Sequence, residues 1–332
     1  MKVFVTGGAG FIGSHFVRHV LGSRSQYSVV NFDKLTYAGN LANLEAVAQH
    51  PSYKFVKGDI CDAKAVEDAL RGSDAIVHFA AESHVDRSIY KPDPAVETNV
   101  NGTFVLLQVA RKLGVPRFMH ISTDEVYGDI PEGVFSDEGS PLEPSSPYAA
   151  TKAAADLLVL SWMRTYGLPA IIVRPSNNYG PHQFPEKLLP VMITHALEGA
   201  PLPIYGDGMQ QRNWLHVDDN CRAILAVLEG GRAGEVYNIG GADIESNLAL
   251  VKRVLRIISK GETGKIEQLI RHVEDRPGHD RRYALNSAKI ARELGWKPSI
   301  ALDEGLRQTV AWYTAHQAWV AALKQGRQDD LQ

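Results

Sequence analysis

The chain has 332 residues, 44% of them hydrophobic, with a net charge of −3. That length holds one large core or two fused lobes, and mixed charge without a long basic run excludes nucleic acid and anionic membranes as general partners. The cysteines, Cys61 and Cys221, form neither a CxxC nor a metal-like cluster, so no metal is expected and a reducing cytoplasm is the simplest setting. No apolar run is long enough to span a bilayer, and no signal peptide is expected because the chain enters a strand at its second residue.

Lys2–Thr6 reads as a strand and Phe11–Leu21 as a helix, with Gly22 as its stop. Short apolar strands are predicted at Ser28–Asp33, Lys54–Lys57, Ala75–Phe79, Arg117–Ser122 and Ala170–Arg174, and helices across Ala95–Leu113 and Tyr148–Tyr166. Strand–helix alternation of this kind predicts an α/β fold, a doubly wound parallel sheet. Beyond Pro175 the pattern becomes irregular and rich in Asn, Gly and Pro. A helix at Val217–Leu228 and a strand at Glu235–Ile239 are expected to return to the sheet. The expected division is a cofactor domain at 1–175, joined by 216–241, and a smaller α/β substrate lobe at 176–215 and 242–332. A helix over Leu302–Leu323 closes the chain, followed by a frayed polar tail, Lys324–Gln332.

Gly7-Gly8-Ala9-Gly10-Phe11-Ile12-Gly13 links the first strand to the first helix. Glycine there permits a tight turn and close backbone approach, and a helix N-terminus offers free N–H groups to a pyrophosphate. Asp33 ends the second strand about twenty residues after Gly13, where a carboxylate accepts hydrogen bonds from an adenosine ribose and repels a 2′-phosphate. NAD is therefore favoured over NADP, although Lys34 softens that repulsion. Gly58-Asp59-Ile60 and Ala80-Ala81-Glu82-Ser83 follow the third and fourth strands, where ligands bind in such folds. They read equally well as ordinary strand-end loops.

Tyr148 and Lys152 are four residues apart, on one face of a helix that Ser145-Ser146-Pro147 starts. An ammonium so placed is expected to stabilise a phenolate and lower the tyrosine pKa towards neutrality. Ser122-Thr123-Asp124-Glu125 adds two carboxyl groups beside a hydroxyl. Paired carboxyls in a shielded pocket titrate apart, one as acid and one as base. Neighbouring residues of a strand point to opposite faces, so both reach one substrate only if the backbone is already turning. Taken alone, an Asp-Glu pair is more commonly a solvated loop.

With these residues in hand, the chain resembles the nucleotide-sugar 4,6-dehydratases of the extended short-chain dehydrogenase/reductase superfamily, whose sheet is Rossmann-like. Thr6–Ser14, the string Asp33 to Asn40 (DKLTYAGN), Ala80 to Ser88 (AAESHVDRS), Ser122–Gly128, Ser146–Lys152, Asn177–Pro190 and Arg276–Tyr283 carry the likeness. The resemblance implies NAD as cofactor, held by Gly7, Gly10, Phe11, Ile12, Gly13, Asp33, Lys34, Leu35, Thr36, Asp59, Ile60, Phe79, Ala80, Ala81, Ser83, Thr98, Tyr148, Lys152 and Asn178. It implies a nucleotide sugar as partner, dTDP-glucose first, contacted by Ser83, Thr123, Asn177, Lys187 and Leu188. Arg212, Asn247, Arg276 and His279 fall around the diphosphate and nucleoside, and Pro203 and Tyr205 flank the base. Each arginine reads equally as a surface ion pair.

The resemblance also gives roles. Tyr148 takes the 4-hydroxyl proton, aligned by Thr123, as hydride passes from C4 to NAD; Glu125 removes the C5 proton; Asp124 protonates the departing C6 hydroxyl. It further implies a homodimer through Ala95–Leu113 and Tyr148–Tyr166. The chain departs from the usual family pattern at Asn213 (usually Asp), His216 and His182 (usually Tyr) and Asn220 (often His). Other readings stay open: a UDP- or CDP-sugar dehydratase, a 4-epimerase or decarboxylase, which needs no acid–base pair, or a non-enzymatic NAD-binding regulator, which typically lacks the tyrosine.

Overall fold

Runs such as Val3-Phe4-Val5 and Ile171-Ile172-Val173 are apolar at every position because a central parallel strand carries helices on both faces; each of these side chains is fully buried. The computed structural model of the protein describes Met1 to Asp329. Its strands β1 (Lys2–Thr6), β2 (Ser28–Asp33), β3 (Tyr53–Lys57), β4 (Ala75–His78), β5 (Phe118–Ile121) and β6 (Ala170–Pro175) pair in parallel. After β7 (Asn177–Tyr179), β8 (Leu202–Tyr205) and β9 (Gln211–His216), strand β10 (Val236–Ile239) pairs with β6 and completes a seven-stranded sheet ordered β10-β6-β5-β4-β1-β2-β3. This is a Rossmann-like doubly wound sheet.

Helices α1 (Phe11–Ser23), α2 (Ala63–Leu70), α3 (Val85–Tyr90), the single turn α4 (Asp93–Ala95), α5 (Thr103–Leu113) and α6 (Pro147–Tyr166) connect those strands. Alternate residues of β1 feed different cores: Val3 and Val5 meet Phe16 and Val17 of α1, whereas Phe4 faces Val66 of α2 and Leu106 of α5. Burying each such side chain contributes roughly 1.5–3 kcal/mol. The remaining helices are α7 (Leu188–Glu198), α8 (Val217–Gly230), α9 (Asn247–Ile258), α10 (Ala288–Leu294), α11 (Leu302–Ala315) and α12 (Gln317–Asp329). Helices α7, α9 and α11 build a separate core around Ile193, Val254, Leu306 and Tyr313. Two small sheets lie with them: β11 (Asp243–Ser246) with β9 and β7, and β12 (Ile270–Val273) with β8. Ile290 and Trp296 fall in the core under the large sheet, together with Ile224 of α8, so the stretch around α10 packs there and not with the rest of 242–332. Among the described residues no helix is long and apolar enough to cross a membrane.

Several elements differ from the sequence expectation. Helix α1 runs through Gly22 and closes at Arg24. The helix expected from Ala95 contains a π-helical stretch, Val96–Gly102. There the Asn99 carboxamide leaves the helix to bond both the N–H and the C=O of Glu82, at 2.8 and 3.0 Å. The single closing helix is two, because the His316 ring turns back on the preceding turn: Nδ1 donates to the Trp312 carbonyl at 2.8 Å and the ring stacks on Trp312 at 4.4 Å. The tail is not frayed at its start, since α12 includes Lys324, whose ammonium pairs with Glu198 at 2.6 Å; residues 330–332 lie outside the described residues.

His182 sits where α1 meets the last helices, with the Arg18 guanidinium 3.4 Å from its ring nitrogens and Trp312 at 4.4 Å. Burial, then Arg18, His15 and His316, lower its pKa from 6.5 to about 3, with Asp218 opposing. A histidine whose folded pKa is depressed favours the unfolded chain once that chain protonates, so stability is lost as pH falls from 6.5 towards 3. Melting temperature is expected to drop more steeply over that window in the native chain than in His182→Phe; parallel curves would refute it.

Candidate active site

A glycine is required at the β1–α1 turn for space. A Cβ on Gly13 would stand 2.3 Å from the Gly7 carbonyl oxygen, and one on Gly7, whose φ is +70°, would stand 2.5 Å from the Ala80 nitrogen. Gly10 caps α1 without a side chain, leaving the first-turn N–H groups free for an anion. Asp33 is buried, its two oxygens accepting from the Ala9 and Leu35 N–H groups at 2.9 and 2.8 Å. Lys34 is engaged by Asp59 at 2.6 Å, so its charge is already countered and does little to offset Asp33.

These residues line a cavity of about 300 Å³ that runs from Asp33 and Asp59 to Tyr148 and Lys152. Every residue singled out above for the cofactor lines it except Leu35. That residue has φ 58°; its N–H serves Asp33 while its side chain packs on the sheet core. The glycine cradle, the exposed helix terminus and the carboxylate at the end of β2 fit a dinucleotide. Gln183, Phe184 and Glu186 also line the cavity and escaped individual prediction; their only signal was membership of the 177–190 segment.

A second cavity, of about 400 Å³, adjoins the first. Asn177, Lys187, Leu188, Pro203, Tyr205, Arg212, Asn247, Arg276 and His279 line it, whereas Ser83 and Thr123 face only the first. Arg276 pairs with Asp86 at 3.1 Å, and Tyr205 donates to the same carboxylate at 2.9 Å. Arg212 is not a surface ion pair: it is 4% exposed, donates to the carbonyls of Gln211 and Asp280 at 2.7 and 2.9 Å, and lies over the Tyr283 ring. Tyr283 and Trp214, also in this wall, were missed as individual site residues.

The reactive groups meet where the cavities join. Strand β5 stops at Ile121, Thr123 is extended, and Asp124–Tyr127 forms a 3₁₀ turn capped by the Thr123 hydroxyl, which accepts from the Glu125 N–H at 3.3 Å. The turn resolves the strand-geometry problem: Asp124 lines the first cavity and Glu125 both. Helix α6 starts on Ser146, which accepts from the Ala149 N–H, and carries Tyr148, Lys152 and Asp156 along one face. Lys152 donates to the Ile121 carbonyl at 2.7 Å.

Burial, then the charge of Glu125, pushes Asp124 up to about 8, so it holds a proton at neutral pH. The expectation for Tyr148 is overturned in this state. Burial first, then Glu125 and Asp124, drive the phenol well above 10, and only the Thr123 hydrogen bond among its main neighbours acts against them. Lys152 falls to about 8 by burial, with Asp156 opposing. The arrangement offers a protonated carboxyl, a second carboxyl beside it and a phenol under one roof, which suits proton transfer at two neighbouring atoms. Among the described residues no cluster of His, Cys, Asp or Glu is arranged to hold a metal ion.

A family model described as GDP-mannose 4,6 dehydratase matches residues 4–309. The dTDP-glucose 4,6-dehydratase of Streptomyces niveus is 53% identical over 330 residues, covering 98% of this chain and 96% of that protein. The crystal structure of DesIV (dTDP-glucose 4,6-dehydratase) from Streptomyces venezuelae with NAD and TYD bound superposes with a TM-score of 0.93 at 51% identity, over 97% of this chain and 100% of that one. A UDP-glucuronic acid 4-epimerase from Bacillus cereus shares the fold at TM-score 0.88 but only 30% identity, over 95% and 99% of the two chains.

Asp124 and Lys152 both lose a proton near pH 8, the carboxyl gaining charge and the ammonium losing it. Catalysis at this site is expected to fall as pH rises through about 8. A pH–rate profile at saturating substrate checks this, and activity still rising through that value would contradict it.

Proposed function

The chain belongs to the GDP-mannose 4,6 dehydratase family, and from that premise we propose how its residues act. The reaction is that of an NAD-dependent hydro-lyase: dTDP-glucose becomes dTDP-4-keto-6-deoxyglucose and water. The observation that carries this reading is Asp124, kept protonated by burial, beside Glu125, which faces both cavities. Alcohol oxidation or C4 epimerisation needs no such pair; expulsion of water needs both its members.

When bound, NAD would supply the hydride acceptor for C4, the hydride donor for C6 and, in oxidised form, a positive charge. The glycine cradle and Asp33 hold it, and the Lys34–Asp59 pair supports the adenosine end. Once ionised, with the Lys152 ammonium offsetting the negative charge, Tyr148 takes the proton of the 4-hydroxyl, and Thr123 fixes that oxygen. The 4-ketone acidifies C5–H, whose proton passes to Glu125. Asp124 gives its proton to the C6 oxygen, the C–O bond breaks and water leaves. Glu125 then gives its proton back to C5; since C6 would regain the hydride that C4 gave up, the sugar is rearranged without net redox change. Lys152, held by the Ile121 carbonyl with the charge of Asp156 in its favour, keeps a positive charge for the phenol. The Arg212 and Arg276 guanidinium groups suit the diphosphate, since planar paired donors match its oxygens.

In this reading 1–175 with 216–241, together with the stretch around α10, serves the cofactor, and the rest binds the nucleotide sugar. A homodimer through Ala95–Leu113 and Tyr148–Tyr166 also fits: Val96, Leu157 and Tyr166 are 50, 58 and 46% exposed, and the Trp162 ring meets Phe104 and Tyr166 at 5.7 and 5.3 Å. Exposed apolar side chains on these helices favour a covering partner.

Tyr148→Phe is expected to abolish oxidation at C4. Asp124→Asn and Glu125→Gln should still oxidise C4 but slow elimination about 10²-fold or more, so reduced cofactor accumulates and is visible by stopped-flow absorbance. Full turnover in both carboxylate variants would sink the assignment. Leu157→Glu is expected to convert dimer to monomer in analytical ultracentrifugation; a native chain that is monomeric at working concentration would refute the dimer.

A further inference from the structure

Glu186 lines both cavities, yet no step above uses it. Its side chain is only 2% exposed. Tyr37, from the loop after β2, donates its hydroxyl to Oε1 at 3.1 Å. His84 and Arg87, from the stretch after β4, bring a ring nitrogen and a guanidinium nitrogen to 3.6 and 3.7 Å from Oε2. Arg87 also covers the Tyr37 ring at 3.6 Å, and the edge of Phe184 meets that ring at 5.5 Å. The neighbouring Lys187 donates to the Ser83 carbonyl at 2.7 Å.

One carboxylate thus ties together three segments that are far apart in sequence. Each supplies wall to the dinucleotide cavity: Thr36 and Gly39 from the first, Glu82 and Ser83 from the second, and Phe184, Glu186 and Lys187 from the third. Parting these walls strands a buried carboxylate without its donors, which is unfavourable. The reaction makes such a tie useful. Between oxidation at C4 and reduction at C6, loss of the reduced cofactor would abandon the sugar half-converted.

We propose that Glu186 is a positioning residue that clasps the cavity shut and retains the reduced nicotinamide between the two hydride transfers. The clasp rests on the dinucleotide occupying that cavity, as in the function proposed above. In Glu186→Gln and in Tyr37→Phe, release of NADH is expected to be about tenfold or more faster, since each change weakens the hydrogen bond between Tyr37 and Glu186. The double variant should release no faster than the quicker single variant, because both changes cut the same tie. The protein is loaded with NADH, chased with excess NAD, and followed by nicotinamide fluorescence. Release at the native rate in both single variants overturns the clasp, as does an effect in the double variant equal to the product of the two. Native protein that takes up no NADH overturns the reading of the cavity itself, and the clasp with it.

Discussion

Removal of the Asp124 carboxyl from water is the constraint on which the site depends. In water that group is an ordinary carboxylate with a pKa near 4; at the end of β5 it is 2% exposed and retains a proton to about 8. Nothing in the turn makes Asp124 an acid except enclosure and the nearness of Glu125. Enclosure is in turn a matter of chain geometry. Gly128 ends the turn with φ 73°, and a Cβ there would stand 2.1 Å from the Glu143 carbonyl oxygen. The turn is pressed against its neighbour as closely as a backbone without a side chain allows. The same desolvation lifts Tyr148 and depresses Lys152, so one physical cause prepares three groups in different directions.

Beneath the reactive groups lies a buried polar chain. Asp156, one turn beyond Lys152 on α6, accepts from Arg174 of β6 at 2.8 Å. Arg174 donates to the Tyr127 hydroxyl, which donates to Asn238 of β10, both at 2.8 Å. Tyr127 closes the turn that carries Asp124 and Glu125. The chain therefore fastens the carboxyl pair and the Tyr–Lys helix to a common floor. A buried ion pair is weak evidence for stability, but leaving either partner alone costs about 3–5 kcal/mol, which makes its parts hard to exchange singly.

Much of this was legible in the residues because local chemistry and fold agree. The six leading strands stand within a residue or so of their expected ends, since apolar runs between Gly, Pro and Asn have few other solutions. Gly7, Gly10 and Gly13 announced a close backbone approach, and Ser146-Pro147 a helix start. Illegible features depend on distant partners. The break within Leu302–Leu323 is the exception: His316 bonds Trp312 only four residues back, but no helix-breaking residue announces it. The pairing of β9 with β7 and β11 joins strands tens of residues apart, and the Tyr148 phenol is lifted first by burial and then by carboxyl groups some twenty residues away. The unusual Asn213 became intelligible only in place: its amide donates to the carbonyls of Gly241 and Asp243 while its oxygen faces the Leu285 N–H. A carboxylate has no proton to give those carbonyls at neutral pH. Asn220 likewise donates to the side chain of Asn178 in the cavity wall.

The path of the chain between its two halves has an evolutionary consequence. It leaves the large sheet after Pro175 and re-enters through α8 and β10. It departs again after Ile239, comes back for the residues around Ile290, and ends on α11 and α12. No single cut separates the part of the chain that packs on the large sheet from the part that packs in the second core. Recombination cannot trade one part for another as an uninterrupted module, so the two have to change by substitution within an intact, interwoven chain.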